Sequence, residues 1–181
     1  MIYGNGVRLR ALERSDVPIM TSWFNNPEVR SYLLMHEPMS LAKEEGWFEA
    51  LLASSNDFVY GIEAQVGDKW VYIGNTGLHR VDWVHRSAVF GIVIGEQAYW
   101  GKGYGTAATR ALVGFAFNTL NLHRVQLDVF DFNVRARRAY EKVGFRLEGT
   151  RRQALFHDGA YHDEHLMAIL STEFADESRQ V

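Results

Sequence analysis

The sequence contains no cysteine. That removes disulfides, thiolate metal sites and a covalent thiol nucleophile from consideration. Only three prolines occur, at positions 18, 27 and 38, and no linker, internal repeat or low-complexity segment divides the chain. No apolar run approaches the roughly 20 residues that a membrane-spanning helix needs, and the opening residues lack a signal-peptide pattern. A cytoplasmic address is therefore expected. A basic excess is also missing: 19 Lys and Arg stand against 22 Asp and Glu, a formal net charge of -3. Neither nucleic acid nor an anionic membrane is expected as a general partner.

What remains is globular. A hydrophobic content of 47% with 23% charged residues suits one domain with a two-layer core, expected over residues 1–170, with a polar tail over 171–181. Val7-Arg-Leu-Arg-Ala11 alternates as a strand, with Val7, Leu9 and Ala11 inward. Ser15 and Pro18 open a helix whose stripe is Ile19, Met20, Trp23 and Phe24, and Pro27 ends it. A patch of Tyr32, Leu33, Leu34, Met35 and His36 follows. Ser40 caps a second helix, with Leu41, Glu44 or Glu45, Phe48 and Leu51 or Leu52 at helical spacing. Gly67-Asp-Lys69 marks a hairpin between strands over 58–64 and 70–78, and the Asp158-Gly159 pair marks another near the end. Further strands are expected over 124–130, 145–156 and 161–169, and a helix over 133–143. The pattern describes one α/β domain around a mixed sheet.

The stretch that organises the chain begins at residue 88. Residues 88–94, Ala-Val-Phe-Gly-Ile-Val-Ile, read as a strand buried on both faces. Gly101-Lys-Gly-Tyr-Gly105 follows, and then a helical run to Thr119 whose stripe is Tyr104, Ala108, Ala111, Leu112, Phe115 and Ala116. Glycines allow close approach of a ligand, and the first helical turn offers unpaired N–H groups and a partial positive charge. A pyrophosphate suits that arrangement. The spacing is neither Gly-x-x-x-x-Gly-Lys-Ser/Thr nor Gly-x-Gly-x-x-Gly, which argues against nucleotide hydrolysis and nicotinamide binding.

Three stretches carry a resemblance: Tyr99-Trp-Gly-Lys-Gly-Tyr-Gly-Thr-Ala-Ala108, Leu122-His-Arg-Val-Gln-Leu127 and Asn133-Val-Arg-Ala-Arg-Arg-Ala-Tyr-Glu-Lys-Val-Gly-Phe145. In this order they resemble the acetyl-CoA signature of the GNAT N-acetyltransferases, within it the ribosomal-protein N-terminal acetyltransferase and spermidine acetyltransferase branch. The likeness extends from Val7 to Leu170. One departure is Trp100, where the family loop often begins with Arg or Gln. The resemblance implies a single α/β domain with a mixed, mostly antiparallel sheet, a splayed central strand and flanking helices. It implies acetyl-CoA as cosubstrate and an amine acceptor as partners, a homodimer as an accessible assembly, and no metal.

Site residues follow from the same resemblance. Gly101, Lys102, Gly103, Tyr104, Gly105 and Thr106 would hold the pyrophosphate, Ile92, Val93, Ile94 and Asn133 the pantetheine, and Trp100 would also contact the cosubstrate. A charge on the face shared by Arg135, Arg138 and Lys142 would meet the 3'-phosphate, with Arg138 and Lys142 assigned that role. Tyr140 would protonate the departing thiolate, and a main-chain N–H near Ile92 would polarise the carbonyl beside a bulge at Gly91 that opens the strand. Residue types leave other readings open: Asn133 is a good helix cap, and Tyr140 fits a buried aromatic. The base is less defined, because many relatives carry Glu just before the strand glycine, where this chain has Val89 and Phe90. His79 is the named candidate, with Asp82, Glu148 or a water relay as alternatives. His162 and His165 point to opposite faces of a strand, so with His157 they form no metal set. The activity implied is transfer of an acetyl group to a primary amine, either a protein N-terminus or a small amine such as a polyamine. A different acyl-CoA, needing room near Phe90 and Trp100, and a CoA-binding module without chemistry are the alternatives.

Overall fold

The computed structural model describes residues 1–33 and 35–175; Leu34 and the part of the polar tail from Asp176 onward lie outside them. In chain order the elements are β1 (Ile2–Gly4), β2 (Val7–Ala11), a short turn of 3-10 helix (Arg14–Asp16), α1 (Val17–Asn25), α2 (Pro27–Arg30), α3 (Leu41–Ala53), β3 (Phe58–Val66) and β4 (Lys69–Asp82). They continue through β5 (Ser87–Ile94), a second 3-10 turn (Gln97–Tyr99), α4 (Tyr104–Asn118), β6 (Arg124–Phe130), α5 (Val134–Val143), β7 (Arg146–His157) and β8 (Ala160–Leu170). Local chemistry sets several boundaries. The Ser40 hydroxyl accepts the Lys43 N–H and starts α3, while Gly144 takes φ 115° and stops α5.

One eight-stranded sheet runs β1-β2-β3-β4-β5-β6-β8-β7. Neighbours are antiparallel except β5 and β6, which run parallel. Consecutive residues of a strand face opposite sides, and β5 shows it: Ile92 and Ile94 pack with α4 and α5, whereas Val93 packs with α1, α2 and α3. Helices thus cover both faces, so the expected two layers are three. The larger core joins Leu112 and Val113 of α4 to Val125, Leu127 and Ile169 of the sheet. The smaller joins Met20 and Trp23 of α1 to Val29 and Phe48.

Several apolar positions depart from the expected pattern. Ala11 is exposed where β2 ends, and Leu12 takes the inward place. Ile19 is 37% exposed, and Val17 fills the stripe of α1 in its stead. Residues 91–94, expected to be buried on both faces, are only half-buried. The last departure has a functional cause: β5 and β6 pair only over Ser87–Arg124, Ala88–Val125 and Val89–Gln126, and past that point β5 borders a cleft. No helix among the described residues is long and apolar enough to cross a membrane.

Candidate active site

The opening between β5 and β6 does not arise from a bulge at Gly91. Gly91 sits in regular register opposite Gly77, and the irregularity in the β4–β5 ladder lies between His79 and Asp82. Strand divergence opens the sheet instead. Its consequence can be followed one peptide at a time. The Gly91 carbonyl accepts the Thr76 hydroxyl at 3.0 Å and so faces β4. In a trans peptide the N–H lies on the opposite side, so the Ile92 N–H faces the cleft. The same alternation turns the Ile94 carbonyl toward the cleft, where the Trp100 indole N–H donates to it at 2.7 Å. Main-chain groups of β5 thus meet the opening where β6 has ceased to supply partners.

The cleft has a volume of about 460 Å³. The glycine loop forms one wall: Gly101 and Gly103 take φ 73° and 89°, left-handed values that favour glycine, and Gly103 is the N-cap of α4. A Cβ built at either would meet nothing within 4 Å, so it would project into open space. The first turn of the 15-residue α4 presents N–H groups without intrahelical acceptors. This is a cradle for an anion that approaches the backbone closely, and the donor set fits a pyrophosphate. Of the residues assigned to the cosubstrate, Ile92, Val93, Ile94, Trp100, Gly101, Gly103, Gly105, Thr106, Asn133, Arg138 and Lys142 line the cleft. Two side chains do not. Lys102 is exposed, its ammonium 5.6 Å from the Tyr99 ring, and the Tyr104 ring packs on the same tyrosine at 5.7 Å.

The opposite wall is α5. Asn133 caps it, its Oδ1 accepting the Ala136 N–H at 3.2 Å, which leaves the amide NH₂ for another acceptor. A charged α5 residue outside that assignment also lines the cleft: Arg135 lies 4.1 Å over the Trp100 ring and 5.3 Å over Tyr32. Its spacing with Arg138 and Lys142 on one helix face was the available signal. Tyr140 is 8% exposed, held edge-on against Phe90 and tilted against Phe145. Burial pushes its phenol above the ordinary tyrosine range. Its hydroxyl makes no hydrogen bond with another described residue; since no fully enclosed side-chain polar atom among the described residues lacks a partner, the hydroxyl oxygen is open to the cleft that the side chain lines. A phenol kept protonated, apolar on its flanks and open at its tip can donate a proton to an anion formed in the cleft.

A second chamber of about 500 Å³ meets the first at Leu33, Ile92 and Val93. His79 lines it, with Nδ1 3.3 Å from Asp57 Oδ1. A Cβ built on Gly91 would lie 3.4 Å from His79 Nε2. The ring is therefore oriented by a carboxylate, with its other nitrogen beside the strand that borders both cavities. The two carboxylate alternatives are not brought there. Asp82 accepts the Val84 and His85 N–H groups in the turn after β4, and Glu148 pairs with Arg124 on β7. Among the described residues no group of His, Asp and Glu could hold a metal ion.

A splayed strand, a glycine loop at a helix N-terminus and an apolar second chamber define an acyl-CoA-dependent N-acyltransferase. Comparison fixes the family. Residues 7–146 match the family described as acetyltransferase (GNAT) domain, and the chain belongs to it. It is 29% identical over 170 residues to a spermidine N(1)-acetyltransferase of Vibrio cholerae, covering 94% of this chain and 96% of that one. It is 36% identical over 117 residues to a putative ribosomal N-acetyltransferase of Bacillus subtilis, covering 65% and 63%. The Vibrio cholerae enzyme solved with CoA and spermine superposes with a TM-score of 0.85 at 29% identity, covering 93% of this chain and 97% of that chain. This protein is an acetyl-CoA-dependent N-acetyltransferase.

Proposed function

We propose that this enzyme acetylates a primary amine, a protein N-terminus or a small amine, by direct attack across β5. Acetyl-CoA lies in the cleft between β5 and α5, and the amine in the chamber between β5 and α3. The observation that carries this reading is the Tyr140 hydroxyl, nearly buried and without a partner among the described residues, in the wall of the cleft that Gly101, Gly103 and Asn133 also line.

Each residue then has one task. His79, oriented by Asp57, accepts a proton from the ammonium. The neutral nitrogen attacks the thioester carbonyl, forming the C–N bond, while the Ile92 N–H donates to the developing oxyanion. The C–S bond breaks, and Tyr140 protonates the thiolate. The second proton leaves the nitrogen and restores the phenol through solvent, so one proton is released per turnover. Asn133 and the free main-chain groups of β5 hold the pantetheine, and Arg138 and Lys142 meet the 3'-phosphate. Lys102 has no part in this reading. A cytoplasmic location is consistent with such a reaction, which uses a soluble intracellular cosubstrate.

Thiol release from acetyl-CoA tests the reading with polyamines, amino acid amides and short peptides as acceptors and Tyr140→Phe in parallel. Release with one class of amine, depressed about 100-fold or more in the variant, is expected. Equal release by Tyr140→Phe would remove the acid.

A further inference from the structure

The acceptor chamber contains a charged group that neither the motifs nor the reaction above have used. Its walls are mostly apolar, with Met20, Phe24, Met35, Met39 and Trp47 among them, and Glu44 lines it as well. Glu44 occupies the inward stripe of α3, one turn before Phe48, at a place where helical periodicity calls for an apolar side chain. It is 2% exposed. Its carboxyl makes no hydrogen bond or ion pair with another described side chain, and burial alone shifts it; because no fully enclosed side-chain polar atom among the described residues lacks a partner, its oxygens open on the chamber. Burying a carboxyl this way opposes folding unless a cation or donor meets it. No described side chain does so, and the chamber on which the carboxyl opens is the side from which a ligand can.

The geometry points to Glu44 as the anionic recognition point for the acceptor, and to an acceptor that carries one cationic nitrogen on an apolar body. This rests on the reading of the second chamber as the acceptor site. The class follows from what else lines the cavity. Among its described lining residues Glu44 is the only carboxylate, and Lys43 and His79 are the other ionisable side chains. A second or third ammonium of a polyamine would find methionine, aromatic rings or Lys43. A single ammonium beside an aryl or branched alkyl group finds a carboxylate and a matching wall. Asn75, whose Oδ1 already accepts the Tyr72 hydroxyl at 2.6 Å, retains its amide donors for a neutral acceptor atom such as the carbonyl of an amino acid amide or a peptide.

The surroundings fix how binding depends on pH. Burial raises the Glu44 carboxyl to about 7. Lys43 on α3, His79 on β4 and Tyr72 of β4 are the titratable groups around it, and Tyr72 senses both Glu44 and Asp16. The α1 helix packed beside α3 contributes none. Pairing needs an ionised Glu44 and a protonated amine, so affinity for the amine falls as pH drops through 7. Folding shows the opposite trend. A carboxyl raised in the folded state binds more protons there than when unfolded, so stability decreases as pH rises from the ordinary Glu range to 7.

The test titrates phenethylamine, leucine amide and spermidine calorimetrically into CoA-loaded protein at pH 8, for the wild type and Glu44→Gln. Binding needs no turnover, so its outcome is separate from the thiol-release test of the reaction. Phenethylamine and leucine amide are expected to bind more tightly than spermidine, and Glu44→Gln to weaken both by tenfold or more. The thermal midpoint of Glu44→Gln is expected at or above that of the wild type, with the gap widening from pH 5 to pH 8. Unchanged amine affinity in Glu44→Gln would overturn the assignment, as would a lowered midpoint with intact binding, which marks a structural role. Tighter binding of spermidine than of either monoamine would overturn the acceptor class.

Discussion

The two cavities on either side of β5 differ in what builds them. The cleft proposed for the cosubstrate adds main-chain donors to its side chains: left-handed glycines, helix N–H groups, and the peptide of Ile92 where β6 has turned away, beside Trp100, Asn133 and Tyr140. The acceptor chamber is made of side chains, methionines and aromatics with one carboxylate. A ligand with a fixed phosphate and pantetheine can be held by main chain, which constrains the sequence to glycines at particular places. An acceptor that varies within a fold family is recognised by side chains that can change without disturbing the strands.

The largest expected effect sharpens this contrast on the cleft side. Tyr140→Phe removes a single oxygen that bonds no other described residue and opens on the cleft. It should lower kcat about 100- to 10,000-fold while the melting midpoint stays within about 2 °C, since no internal hydrogen bond is lost. Thiol-release kinetics beside a thermal melt checks both halves. A loss of kcat accompanied by a large drop in the midpoint would mean that the phenol serves the core.

Gly103→Val tests the backbone side. At φ 89° a branched residue is strained, and its side chain would project into the cradle. The expected result is a rise of at least tenfold in KM for acetyl-CoA and about 1–2 kcal/mol lost in stability, with KM for the amine unchanged. If KM for the amine rises equally, the division of the two cavities is wrong.

This contrast also explains what could be read in advance. The strand, the glycine loop, α4 and α5 were legible because backbone requirements leave marks in sequence: Gly101 and Gly103 for positive φ, Asn133 for a cap. The half-exposure of residues 91–94 was not, because an apolar run looks the same whether it faces a core or a cleft that a ligand fills. Nor was the manner of opening: Gly91 suggested a bulge, while the structure achieves the gap by letting β5 and β6 diverge after three pairs. Lys102 sits in the motif by spacing but outside the cleft by direction, since alternate residues of a tight loop point apart. The chamber was least legible. It is assembled from α1, α3, β3, β4 and β5, and in the helical stripe Glu44 could not be told from Glu45 without knowing which of the two is buried.

On the chamber side lies His79, and its effect should be smaller than that of Tyr140. His79→Gln keeps a polar side chain near Asp57 but cannot accept a proton. A fall of about tenfold in kcat/KM for the amine is expected, with the low-pH limb of the profile altered and KM for acetyl-CoA preserved. An unchanged pH profile would assign proton removal to a water relay. The phosphate end can be probed in the same way. Arg138→Ala combined with Lys142→Ala should raise KM for acetyl-CoA about fivefold, and leave KM for its 3'-dephospho form unchanged, because exposed charges contribute about 1 kcal/mol. Equal loss with both forms would place the 3'-phosphate elsewhere.

The smallest effect separates the burden carried by α3 as a helix from that carried by Glu44. Gly46 lies in the exposed interior of α3, and a Cβ added there meets nothing within 4 Å. Gly46→Ala should stabilise the protein by about 0.5–1 kcal/mol through helix propensity alone. Amine affinity should not change, because the residue does not line the chamber. Glu44→Gln should also raise the midpoint, but by relieving a buried charge, and only at pH values where Glu44 is ionised. Denaturant melts of both variants at pH 5 and pH 8 separate the two causes: the gain from Gly46→Ala should be the same at both, and the gain from Glu44→Gln should appear at pH 8. A pH-independent gain in both would mean that Glu44 is held protonated by the fold, and that the chamber presents a neutral acid to its ligand.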